Sequence, residues 1–108
     1  MKQFVEARRH FNLALENGCR LGDKRVIALS LEGLGRIWAW HPGANAASAA
    51  KLFGAASKLR KVIKSPLEPN EETDYDRAIL VVRNLLGEKD FKITFDQVWR
   101  QNYARALS

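Results

Sequence analysis

Ala7-Arg8-Arg9-His10-Phe11-Asn12-Leu13-Ala14 and Ala49-Ala50-Lys51-Leu52-Phe53-Gly54-Ala55-Ala56 share the pattern A-x3-F-x2-A and lie 42 residues apart, Ala7 to Ala49. Residues three, four and seven apart stack along one side of an α-helix, so each stretch puts its Phe and both flanking alanines on a single face. Small alanines let a neighbouring helix come close, and the ring fills the groove beside it. Between the two stretches runs Leu31-x2-Leu34-Gly35-x2-Trp38, again at helical spacing. A period of this size built from helix pairs points to a helical repeat array. Such arrays present extended surfaces to other proteins more often than they build catalytic pockets.

Outward from these stretches, the apolar period divides the chain into five helices. The first spans Lys2 to about Leu21, with Phe4, Ala7, Phe11, Ala14 and Leu15 inward. Leu21-Gly22-Asp23 ends it and starts the next, because Gly suits the left-handed residue after a helix and Asp suits an N-cap. The second spans about Lys24 to Trp40 and turns Ile27, Ala28, Leu31, Leu34, Gly35 and Trp38 inward. Gly33 and Gly35 each weaken it by roughly 0.8–1 kcal/mol relative to Ala, a cost tolerated where another element must approach closely. His41-Pro42-Gly43 breaks it, since a residue before Pro avoids helical geometry. The third spans about Asn45 to Ile63. Ser65-Pro66-Leu67-Glu68-Pro69 is expected as a connector, because two prolines interrupt any helix.

A fourth helix is expected over about Glu71 to Leu86, capped by Asn70 or Thr73. Glu71, Glu72, Asp74 and Asp76 crowd its first turns, where the helix dipole favours acids. Tyr75, Ile79, Val82 and Leu86 form its inner stripe, flanked by Ala78 and Leu85. Gly87 ends it. A fifth begins near Glu88 and extends toward Ala106, with Phe91 and Phe95 inward. The expected fold class is therefore all-α: five antiparallel helices in hairpins, forming a piece of a right-handed superhelix.

Leu31, Leu34, Gly35 and Trp38 resemble the large–large–Gly–aromatic positions of the first helix of a tetratricopeptide repeat, and Ala49, Phe53 and Ala56 resemble its second. The 42-residue spacing and the loop His41–Ala44 are longer than that family's commonest form. A second likeness covers nearly the whole chain. The run Leu21 to Gly35, the run Ala49 to Ala56 with Leu59-Arg60, and Leu86-Gly87 followed by Phe91 are similar to the C-terminal helical repeats of large bacterial ATP-dependent transcriptional regulators. The resemblance implies a P-loop ATPase elsewhere in a parent chain. It also implies three units: residues 1–22 as the second helix of a truncated repeat, 23–64 as one full repeat, and 70–108 as a closing helix pair. On that reading the first helix leaves apolar surface uncovered and favours self-association.

Composition agrees with a packed domain. Of 108 residues, 46% are hydrophobic, enough for a core. No apolar run approaches the roughly 18 residues of a membrane span, and no membrane contact is expected. The N-terminus has no hydrophobic signal region. A lone cysteine, Cys19, suits a reducing cytoplasm.

The sequence carries little catalytic chemistry. Gly33-Leu34-Gly35 is G-x-G inside a helical period, with no strand before it and no Lys-Ser or Lys-Thr after it, so it is no phosphate loop. His10 and His41 are far apart, and one cysteine is too few for zinc. No serine or cysteine has a His and an acid nearby in sequence. No enzyme, metal or cofactor is expected. The net charge of +6 is carried partly by Lys51, Lys58, Arg60, Lys61 and Lys64 on the third helix, the candidate anion contacts. They support an alternative reading as a nucleic-acid-binding helical domain. That reading is disfavoured because no stacking aromatic is interleaved among the charges. The preferred expectation is a non-catalytic scaffold that binds a protein or peptide and stacks on neighbouring repeats. Its groove should be lined by the second helix, through Arg25, Ser30, Glu32, Arg36 and Trp40.

Overall fold

The computed structural model of the chain describes residues 2–40 and 45–98. They form five α-helices: α1 (Lys2–Leu21), α2 (Lys24–Trp40), α3 (Ala46–Ile63), α4 (Pro69–Leu86) and α5 (Glu88–Val98). No strand occurs among the described residues, and the chain is all-α. The break expected at His41-Pro42-Gly43, and the fifth helix beyond Val98 toward Ala106, lie outside the described residues.

The helix ends follow local chemistry. At the end of α1, Gly22 takes φ 70°. The N–H of Asp23 donates to the Gly18 carbonyl at 2.9 Å and that of Gly22 to Cys19 at 3.3 Å, a Schellman motif. Asp23 then caps α2, its carboxylate accepting the Val26 N–H at 3.2 Å. The end of α3 repeats the arrangement. Ser65 N–H donates to Arg60 at 3.1 Å and Lys64 N–H to Lys61 at 3.3 Å. Here Lys64 holds the left-handed position, at φ 54°, and it stands 42 residues after Gly22. The internal spacing thus extends from the Phe faces to the helix ends.

One expected boundary is corrected. Helix α4 starts at Pro69 with Glu68 as its N-cap, not at Glu71 capped by Asn70 or Thr73. Proline suits the first helical position because the N–H it lacks would have no partner there. The Glu71 carboxylate accepts the Glu68 N–H at 3.2 Å, while the Thr73 hydroxyl donates back to the Pro69 carbonyl. Pro69 therefore opens the helix that it was expected to delay.

Helix α2 lies between α1 and α3, the two helices that carry the A-x3-F-x2-A pattern. The Phe11 ring of α1 lies over Gly33 so closely that a methyl group there would overlap it. The Phe53 ring of α3 lies in the same way over Gly35. Residues two apart on a helix point about 200° from one another, so the two rings press on opposite sides of α2. One core cluster joins α2 to α3 through Ile27, Ala28, Leu31, Ala55, Ala56 and Leu59, with Leu15 and Cys19 of α1 against it. A second gathers Ala39, Ala49, Ala50, Phe53, Ala78, Val82 and Phe91 from α2 to α5. Helix α4 packs on both α2 and α3, and α5 packs on α3. At the last contact Gly54 meets the backbone carbonyl of Phe95, an approach that leaves no space for a side chain. The inner stripe of α4 is as expected except for Leu85, which is exposed. Tyr75 meets Phe53 edge-on, with ring centroids 5.2 Å apart.

Candidate functional site

Helix α2 buries three sides, against α1, α3 and α4, and leaves a narrow strip open. Arg25, Leu29, Arg36 and Trp40 follow one another at spacings of four, seven and four, so they share that strip. Arg25, Leu29 and Trp40 are exposed and Arg36 is half-buried. Trp40 is 53% exposed and Leu29 37%. Three of the five expected contact residues are therefore brought together. Leu29 belongs with them and was not among the expected contacts, although its four-residue step from Arg25 was visible.

The other two are corrections. Ser30 is buried, about 140° around the helix from Arg25, and its hydroxyl donates to the Val26 carbonyl at 2.8 Å. Glu32 borders the open strip by its helical angle, yet it is 2% exposed. Arg60 of α3 reaches across it. Its Nε donates to Oε2 at 3.0 Å and its Nη2 to Oε1 at 2.8 Å. This two-pronged geometry satisfies both carboxylate oxygens, which burial of a charge requires.

That pairing also removes Arg60 from the expected anion-contact group, because Arg60 is 7% exposed. Its Nη1 donates to the Ser65 carbonyl at 3.3 Å, tying the guanidinium to the turn after α3. The hydrogen bonding of Arg60 to Glu32 holds the Arg60 pKa above its ordinary value, against the opposing effect of burial. Of the remaining lysines, Lys51, Lys61 and Lys64 are exposed and Lys58 is half-buried.

Beside the ion pair is a pocket of about 440 Å³. Glu32, Arg60, Ser57 and Tyr75 line it together with Lys61, Lys64, Pro66 and Leu67. Pro66 and Leu67 of the connector, the end of α3 and Tyr75 of α4 make its rim. Burial pushes the Tyr75 hydroxyl up to about 12, with the nearby Ser57 side chain pulling the other way. Tyr75 therefore stays a neutral hydroxyl across the physiological range. This pocket was not anticipated, since it joins residues from three helices and a turn.

Among the described residues, no helix is long and apolar enough to cross a membrane, and no group of three or more His, Cys, Asp or Glu side chains is placed to hold a metal ion. No family model, curated protein or solved structure matches the chain.

Proposed function

We propose that the chain is a non-catalytic helical-repeat scaffold that binds a protein or peptide along the open strip of α2. The observation that carries this reading is the row Arg25, Leu29, Arg36 and Trp40. A half-exposed Trp at the end of a row that also carries two arginines is the composition of an interface anchor. The two arginines favour a partner segment with acidic side chains, and Leu29 and Trp40 favour apolar ones. The glycines of α2 support the reading too, because they let α1 and α3 close on the helix and hold the strip rigid.

The likeness to tetratricopeptide repeats and to the C-terminal repeats of bacterial ATP-dependent regulators adds a setting. In it the scaffold works in the cytoplasm, stacks on neighbouring repeats and passes a binding event to a distant ATPase. The large apolar side chains that α1 leaves exposed, Val5, Leu13 and Leu21, suit such stacking or contact with a second copy.

The test is site-directed photo-crosslinking in cells. A photoreactive residue at position 29 or 40 is expected to give one discrete protein adduct. The adduct should disappear when Arg36→Glu reverses the central charge, and the same probe at the exposed Val62 should not give it. Identical adducts from position 62, or adducts indifferent to Arg36→Glu, would refute the reading.

A further inference from the structure

We propose that the pocket between the α3–α4 turn and α2 binds a small organic anion with an apolar body, its charge held by Lys61 and Lys64 and its body lying on Tyr75, Pro66 and Leu67. The residues of the α2 strip do not line this pocket, so the inference stands apart from the reading above.

Three observations carry it. The first is the volume, about 440 Å³, which falls in the range of small-molecule sites. The second is the charge arrangement. Glu32 is the acid in the lining, and both its oxygens are engaged by Arg60. Glu71, near Arg60, is not in the lining, and its Oε1 accepts the Glu68 N–H. Lys61 and Lys64 therefore give the rim a surplus of positive charge. The floor is apolar apart from the paired ions and the Ser57–Tyr75 hydroxyls, so a ligand needs an apolar part as well as a charge.

The third observation is Lys64 itself. It takes φ 54° at the left-handed end of a Schellman motif, where its counterpart 42 residues earlier is Gly22. A residue with a Cβ is disfavoured in this conformation. A basic side chain near a helix C-terminus is favourable, but Arg60 and Lys61 already occupy the last turn of α3. What Lys64 adds over a glycine is an amine on the pocket rim. Strain at a cavity of this kind is a pointer to ligand contact.

The experiment is an NMR titration of the isotope-labelled full chain with 4-phenylbutyrate, and with 4-phenylbutanamide as its neutral counterpart. The acid is expected to shift the amides of Ser57, Lys61, Lys64, Leu67 and Tyr75 in a saturable way. The amide should bind about tenfold more weakly, the effect of losing a charge-assisted contact. Lys64→Gly should lose about tenfold in affinity for the acid while the melting temperature stays or rises, because glycine relieves the left-handed strain. Lys61→Gln, at an exposed position, should weaken the acid and not the amide. Equal binding of acid and amide, shifts centred on another surface, or unchanged affinity in Lys64→Gly would each overturn the proposal.

Discussion

Arg60 and Glu32 form the only pair of ions among the described residues that is buried on both sides. Two charges removed from water are tolerable here because each finds its partner in two-pronged geometry and Ser65 takes a further N–H. Removing one partner strands the other. Glu32→Ala is expected to cost about 3 kcal/mol, the lower end for a buried pair because the pocket admits water. The double variant Glu32→Met with Arg60→Met should recover most of that loss, since an apolar pair of similar volume leaves no charge unpaired. Urea melts of the three proteins decide it, and a double variant less stable than the single one would contradict the account. Tyr75 carries a pH dependence of its own. Its folded value of about 12 lies above the unfolded value of about 10. The folded state thus holds the proton more tightly, so this stability is complete below about pH 10 and falls as pH rises toward 12. Two pH units correspond to about 2–3 kcal/mol, and Tyr75→Phe should flatten that slope in an alkaline denaturation series.

At the scale of elements, glycine decides how closely helices pack. Gly54 brings α3 against the Phe95 carbonyl of α5, and a backbone atom cannot swing aside as a ring can. Gly54→Ala is therefore expected to push α5 off α3 despite the helix propensity that alanine adds, about 1 kcal/mol. Hydrogen exchange should show α5 amides losing protection while the α2–α3 amides keep theirs; uniform loss, or none, would argue against a local seam. The breaks between elements were legible from single residues. Gly22-Asp23 reads directly as a stop and a start, and Gly87 as a stop. Pro69 was misread because proline is a breaker inside a helix and a favoured opener at its first position, and only the path of the chain tells which. Lys64 gave no signal of a left-handed end, since lysine carries no preference for one.

Over the whole molecule, the hairpin of α2 and α3 belongs to both core clusters, and the other helices lean on it. Phe53 is central and fully buried, whereas Phe11 is half-buried at the outer layer. Phe53→Ala should cost about 3–5 kcal/mol, a large share of a typical total of about 5–15 kcal/mol. It should lower the melting of all helices together. Phe11→Ala should cost about half as much and loosen α1 first. Thermal melts read alongside α1-specific exchange separate the two. If both variants melted alike, the two equivalent rings would be equal in burden, contrary to their burial.

The sequence by itself determined the five helices, most of their ends and the inward faces that carry Phe11 and Phe53, because helical periodicity, left-handed glycine and N-cap preference act within a few residues of chain. Tertiary structure decided which polar side chains reach solvent. Glu32 stands at the edge of the open strip by its position on α2, and it is buried because Arg60, 28 residues away, closes over it. The pocket beside that pair exists only where α2, α3, α4 and a turn converge. Exposure is a property of neighbours, and those neighbours are chosen by packing rather than by local spacing.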